Sequence, residues 1–198
     1  MKVTTIDLIR HGEPVGGRKY RGWGVDDPLT EKGWQQMWDA VGENAPWEQV
    51  VTSPLLRCKA FAEELSGKHY IPVTIENDLE EVGFGDWEGK TPNEVIASNK
   101  AEYDAFYLDP VNNRPNGAED LDVFSDRVVA VFRKVSSIFE GQHSLIVAHA
   151  GVVRAIIAFV LDAPPGSIYK LEIGNASISR IVINEHGPKL IFTNQSHL

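Results

Sequence analysis

Cysteine is nearly missing from this chain: Cys58 is the only one in 198 residues. A single thiol cannot close an internal disulfide, so nothing ties the protein to an oxidising compartment, and the cytoplasm is the expected location. Long hydrophobic runs are missing too. The longest, Ala155–Leu161, falls far short of the ~20 apolar residues that a membrane-spanning helix needs. The opening Met1-Lys2-Val3-Thr4-Thr5 carries no charged n-region, apolar h-region or cleavage site, so neither a signal peptide nor a membrane partner is expected. Positive charge is scarce, with 19 Lys and Arg against 28 Asp and Glu and a formal net charge of −9. That balance argues against nucleic acid, which is bound through many Lys and Arg contacts to phosphates. It leaves room for a small anionic substrate, because a few arginines converging in a cleft attract phosphate even on an acidic protein. No repeat, low-complexity tract or linker divides the chain, so residues 1–198 are expected to form one domain.

What is present begins with Ile6-Asp7-Leu8-Ile9-Arg10-His11-Gly12-Glu13. The first half alternates and then fills with apolar residues, as a buried strand does. It ends in a cation, an imidazole, a glycine and a carboxylate, and open α/β sheets place ligand sites at such strand ends. Gly12, lacking a Cβ, is expected to let the backbone turn sharply and an anion approach. His11 reads as a nucleophile and Arg10 as a phosphate clamp.

Downstream, Pro14–Pro28 is a Gly-rich loop with Arg18, Lys19, Tyr20 and Arg21, either a mobile surface loop or a basic wall beside the strand end. Thr30 is a candidate N-cap for a helix to about Val41, with Trp34, Met37, Trp38 and Val41 on its core face. A short strand, Gln49–Thr52, leads into Ser53-Pro54, which reads as the start of a helix to about Leu65. Arg57 falls in that helix's first turn, where a cation is disfavoured unless an anion partners it. Val73–Ile75 is a further strand, and Leu79–Gly89 an acidic loop holding Glu80, Glu81 and Glu88. Pro92–Ser98 and Lys100–Tyr107 read as two short helices, with 92–117 a candidate partial lid. Asp120–Phe139 carries the longest amphipathic pattern, with Val123, Phe124, Arg127, Val128, Val131, Phe132, Val135 and Ile138 at helical spacing. Ser144–Ala148 is an apolar strand that ends in His149-Ala150-Gly151 and enters a helix from about Val152 to Leu161. Tyr169–Ile173, Ser177–Ile183 and Leu190–Thr193 read as closing strands.

Three strand ends thus carry Arg10 with His11, Ser53 with Arg57, and His149, and in a mostly parallel sheet they share one edge. Metal is the first rival reading, but two arginines would repel a cation, and no H-E-x-x-H spacing occurs. A tetrahedral dianion suits an arginine pair, whose guanidiniums offer forked, charge-assisted hydrogen bonds. With phosphate held there, one nitrogen of His11 can attack phosphorus while the other keeps its proton on a carbonyl. Arg10, Arg57 and His149 would neutralise the equatorial oxygens. A carboxyl from the Leu79–Gly89 loop would protonate the leaving alkoxide and then deprotonate water.

These residues resemble a known family. Arg10-His11-Gly12 is similar to the R-H-G motif of the histidine phosphatase (phosphoglycerate mutase-like) superfamily, and Ser53-Pro54-Leu55-Leu56-Arg57 to its S-P-L-x-R segment. Glu81 through Trp87-Glu88-Gly89 resembles its acid loop, and His149-Ala150-Gly151 its second-histidine motif. The four blocks occur in family order. The resemblance implies a three-layer αβα sandwich around a mostly parallel sheet, a phosphohistidine on His11, Glu81 as the acid, and no metal or cofactor. Pro28–Gly33, Arg57–Ala62 and Phe84–Gly89 are similar to the α-ribazole-phosphate phosphatases of cobalamin assembly within it. Pro14 replaces the usual Ser or Thr, the phosphate-touching Asn is missing, and Ala118 and Ala150 stand where Gly is frequent. These departures touch the substrate rim, for which Arg21 and Ser53 are candidate contacts. The expected partner is a small phosphomonoester, and the chain could be monomer or homodimer. The alternatives are a broad-specificity phosphatase, a phosphoglycerate mutase-type transferase, and a non-catalytic phospho-ligand module.

Overall fold

The structure, a computed structural model, describes residues 2–43 and 45–197. Its strands are β1 (Thr4–Arg10), β2 (Gln49–Thr52), β3 (Val73–Ile75), β4 (His143–Ala148), β5 (Ile178–Asn184) and β6 (Gly187–Gln195). They form one sheet in the order β3-β2-β4-β1-β5-β6. The first four run parallel, while β5 is antiparallel to β1 and β6 to β5. The carboxyl ends of β1, β2 and β4 therefore meet on one edge. Their pairing continues past the strands: the His11 N–H donates to the Ala148 carbonyl at 2.9 Å and the Ser53 N–H to Val147 at 3.0 Å.

Alternation along the strands builds two cores. Ile6 and Leu8 of β1, with Ile146 and Ala148 of β4, face helices α4 (Leu121–Ile138) and α5 (Ala150–Val160). Ile9, Leu145 and Val147 face the other way, onto α1 (Glu31–Val41) and α2 (Leu56–His69). Each such aliphatic side chain, fully buried, contributes roughly 1.5–3 kcal/mol. The result is the expected sandwich of helices on both faces of a mostly parallel sheet.

Local chemistry explains the element ends. The Thr30 hydroxyl accepts from the Gly33 N–H, and Met37, Ala40 and Val41 are buried on α1 while Trp34 and Trp38 lean on Phe61. α2 starts at Leu56, not at Pro54, because Leu55 stays extended and the Leu56 N–H is taken by Asp26 at 2.7 Å. α3 (Pro92–Leu108) opens on a Thr91–Glu94 capping box and breaks at Asn99, the boundary between the two short helices read from the sequence. On α4 the buried stripe is Phe124, Val128, Val131, Phe132 and Val135. Val123 and Ile138, expected on that stripe, are exposed. A strand over Tyr169–Ile173 is not formed. Pro165–Lys170 coils as a short 3₁₀ helix, β5 already occupies the flank of β1, and the Tyr169 ring packs against Phe106 at 5.0 Å. No helix among the described residues is long and apolar enough to cross a membrane.

Candidate active site

The shared strand edge opens into a cavity of about 750 Å³ lined by Arg10, His11, Arg57 and Glu81, with Arg18, Arg21 and Arg154 among its other walls. Gly12 carries β1 into it. Its φ is not left-handed; instead a Cβ there would lie 2.1 Å from the Gly33 carbonyl oxygen. Gly12 is thus required by the close approach of α1, not by the sharp turn read from the sequence.

His11 is buried, and its Nδ1 lies 2.7 Å from the Gly12 carbonyl. A carbonyl can only accept, so Nδ1 carries the proton and the Nε2 lone pair is free. Burial, then the charges of Arg10 and Arg57, hold this imidazole well below the usual histidine range. It is a neutral base in a cationic pocket. The His149 ring sits 5.3 Å away at a steep angle, fully buried, with Ser53 Oγ 2.7 Å from its Nε2. Its pKa is lowered in the same way, by burial first and then by Arg57. Cys58 closes the other side, its thiol donating to the Ala148 carbonyl at 3.3 Å and its sulfur touching both ring nitrogens of His149 at 3.6–3.7 Å. Burial pushes that thiol up, so it does not compete as a nucleophile.

The guanidiniums are held from behind. Arg57 donates to the Val25 carbonyl at 2.9 Å and to Gly22 at 3.0 Å, and Arg10 donates to Ile173 at 2.7 Å. The Nε groups of Arg10, Arg57 and Arg154 are buried with no acceptor among the described residues. Burial and the neighbouring Arg154 bring Arg10 down to about 10, Glu81 and Glu172 pulling the other way. Three positive groups crowded on one wall, eased only by Asp26 at 3.9 Å from Arg57 and by the charges of Glu81 and Glu172 on Arg10, suit an oxyanion far better than a cation. No group of three or more His, Cys, Asp or Glu side chains is placed to hold a metal among the described residues.

Of the loop carboxylates, only Glu81 lines the cavity. Its Oε1 accepts from the Val82 N–H at 3.0 Å and its Oε2 from Gly151 at 3.2 Å, in the first turn of α5. Glu88 is a staple: its two oxygens take the N–H groups of Phe84 and Gly24. The loop 14–28 proves to be a fastened wall. Tyr20 and Gly89/Lys90 exchange backbone bonds of 2.7–2.9 Å, and Arg57 and Leu56 grip residues 22, 25 and 26.

Two of the candidate rim contacts change meaning. Ser53 is fully buried and does not line the cavity; it orients His149 instead of meeting substrate. Arg21 lines the cavity, but its Nε bonds Asp27 and one Nη holds the carbonyls of Val15 and Gly17, so it mainly shapes the loop. Arg154 and Tyr107, both on the cavity wall, are not among the residues the sequence marks out for the site. For Arg154 a signal existed, since it follows Ala150 by four residues and therefore shares its helix face. Tyr107 had none, because its approach to Tyr20 (hydroxyls 2.9 Å apart) spans 87 residues.

A four-stranded parallel sheet with an antiparallel flank, helices on both faces and two imidazoles among arginines at its edge is the phosphoglycerate mutase-like arrangement. The chain belongs to the histidine phosphatase superfamily (branch 1), which it matches over residues 6–196. It is 31% identical over 183 residues to the adenosylcobalamin/alpha-ribazole phosphatase of Salmonella typhimurium, covering 90% of each chain. Over 180 residues it is 31% identical to the bifunctional protein Rv2228c of Mycobacterium tuberculosis; that match takes in 89% of this chain, which spans only about half (49%) of that longer protein. Among solved structures it resembles a putative alpha-ribazole-5'-P phosphatase from Escherichia coli, with a TM-score of 0.85, 26% identity and 98% of both chains covered.

Proposed function

We propose that this protein hydrolyses small phosphomonoesters in two in-line steps through a phosphohistidine on His11. The observation that carries the reading is the fixed His11 tautomer, with Nδ1–H on the Gly12 carbonyl and Nε2 free in a pocket lined by Arg10 and Arg57. In the first step Nε2 bonds to phosphorus as the ester P–O bond breaks, and the alkoxide takes a proton from Glu81. In the second, Glu81 takes a proton from water, the water oxygen bonds to phosphorus, and the P–N electron pair returns to Nε2. Arg10, Arg57 and His149 neutralise the transferring oxygens throughout. His149 is fully buried behind the cavity wall, kept neutral by burial first and then by the guanidinium charges; its part in neutralising phosphate requires that a bound dianion offset those charges and draw a proton onto the ring.

Within this reaction class the substrate is α-ribazole 5′-phosphate. Supporting this are the relatives named for that activity and the cavity's aromatic flank, where Tyr20, Phe84, Tyr107 and Tyr169 stand beside the phosphate clamp. Such a wall suits a leaving group that ends in a flat ring. Tyr107, at the C-terminal end of α3, brings the 92–117 segment to the cavity, in keeping with a partial lid. The test is kcat/KM for phosphate release across a panel of phosphomonoesters, run beside an isomerisation assay on 3-phosphoglycerate. A strong preference for α-ribazole 5′-phosphate is expected. A flat profile would make this a broad-specificity phosphatase, and efficient isomerisation without net phosphate release would make it a mutase.

A further inference from the structure

The loop that carries Glu81 has only short 3₁₀ turns, Asn77–Leu79 before Glu81 and Gly85–Trp87 after it, and the backbone of residues 78–81 is gathered by one side chain. Arg127 on α4, outside the cavity, donates through Nη1 to the carbonyls of Asp78 at 2.6 Å and Glu80 at 2.9 Å, and through Nη2 to that of Glu81 at 3.4 Å. Its remaining donors grip Glu119 in a fork, Nε to Oε1 at 2.7 Å and Nη2 to Oε2 at 2.9 Å. Glu119 in turn accepts from the Gly83 N–H at 3.1 Å, while Arg114 bonds the carbonyls of Glu119 and Gly83 at 3.0 and 2.8 Å. Glu119 is nearly buried, and the Arg127 guanidinium packs 4.9 Å from the Phe124 ring. A planar, five-donor group is thus fully used, three of its bonds on the backbone of residues 78–81.

We infer that Arg127 is a positioning residue for the acid step: by bracketing the carbonyls of residues 78, 80 and 81 it fixes where the Glu81 carboxylate meets the leaving oxygen. The inference rests on the reading of Glu81 as that acid. The charge of Arg127 is paired with Glu119 and ranks behind Arg57, His11 and Arg10 among the charges that lower His149, so its effect on phosphate binding is small, and its loss shows where a proton must be delivered. A general acid supplies about 10²–10⁴-fold, and a misplacement of about 1 Å costs on the order of 10²-fold.

The experiment measures single-turnover phosphoryl transfer by rapid quench from two substrates, p-nitrophenyl phosphate and glycerol 3-phosphate. The first leaves as a stabilised anion that needs no proton; the second leaves as an alkoxide that does. Arg127→Lys keeps a charge opposite Glu119 but cannot bracket both sides from one nitrogen. It is expected to lose about 10–100-fold on glycerol 3-phosphate, stay within about threefold on p-nitrophenyl phosphate, and leave KM for both nearly unchanged. If that variant does not fold, the neutral pair Arg127→Gln with Glu119→Gln carries the same expectation. Equal losses on both substrates, or no loss on either, would overturn the inference. Glu81→Gln is run alongside and should show the same leaving-group split. If it shows none, the acid assignment itself falls; if it shows the split and the Arg127 variants do not, only the positioning role falls.

Discussion

Changing Gly151 to Ala would put a methyl group where Glu81 keeps its carboxylate. A Cβ at Gly151 would sit 2.2 Å from Glu81 Oε1, 3.2 Å from its Cδ and 3.3 Å from the Phe124 ring. The buried Phe124 leaves the methyl no room to yield, so the carboxylate must retreat by roughly 1 Å, a shift that costs on the order of 10²-fold in rate when it moves a catalytic group. The backbone itself is undisturbed, because Gly151 has no left-handed φ and lies in α5, where Ala is the better helix former by up to about 1 kcal/mol. The expected variant is folded, within about 1 kcal/mol of the parent in urea unfolding, with KM little changed and kcat on an alkyl phosphate down about 100-fold. The two assays separate the outcomes. A kcat at the parent level would show that Glu81 does not work from the position seen here. A fall in stability of several kcal/mol would show that the strain is not relieved by Glu81 swinging away.

Three further perturbations probe other parts of the design. With His11 and His149 both depressed below the ordinary value of 6.5, the folded state binds fewer protons than the unfolded chain as pH falls through that value. Stability should therefore decline below about pH 6.5, and NMR titration of the free protein should find both rings neutral there; rings that titrate at or above 6.5 would contradict the electrostatic picture. Asp7 is fully buried on β1 and paired with Arg180 at 2.7 and 3.0 Å, His143 at 2.8 Å and the Trp47 indole at 2.8 Å. Asp7→Asn should cost about 3–5 kcal/mol in denaturant unfolding while folded enzyme keeps its kcat, and a loss under 1 kcal/mol would mark the network as dispensable. Ser53→Ala leaves a buried nitrogen of His149 and the Leu55 N–H without their hydroxyl partner, which should cost about 1–3 kcal/mol in denaturant unfolding and lower kcat/KM about tenfold; unchanged kcat/KM would remove Ser53 from the support of the site.

Much of the layout could be read from the chain because local chemistry and global fold agree there. β1 and β4 are apolar strands that stop abruptly at His11 and His149, and a parallel sheet places such ends together with no help from distant residues. Arg57 could be picked out because a cation in a helix's first turn needs a reason. What stayed hidden depends on contacts across long separations. Ser53 reads as part of a helix start and as a candidate substrate contact, yet its hydroxyl lies 2.7 Å from His149 Nε2, 96 residues away. Tyr169–Ile173 has the composition of a strand, but the ring of Tyr169 belongs to a cluster with Phe106, and its hydroxyl accepts from Arg114 at 2.8 Å. Arg127 lies on the amphipathic pattern of α4 like a neutral spacer, and its task appears only once the carbonyls of residues 78–81 arrive beside it. Choosing among Glu80, Glu81 and Glu88 likewise needs coordinates or a family motif, since three carboxylates in one loop differ only in where the loop folds.

The most direct measurement is to quench the enzyme during turnover of a labelled phosphomonoester and locate the label by peptide mapping under alkaline and acid conditions. The expected result is an acid-labile, alkali-stable phosphate on His11 that forms and decays at rates compatible with kcat and is gone in His11→Ala together with the activity. A His11→Ala protein that still hydrolyses substrate at the parent rate, or a label found on another residue, would contradict it.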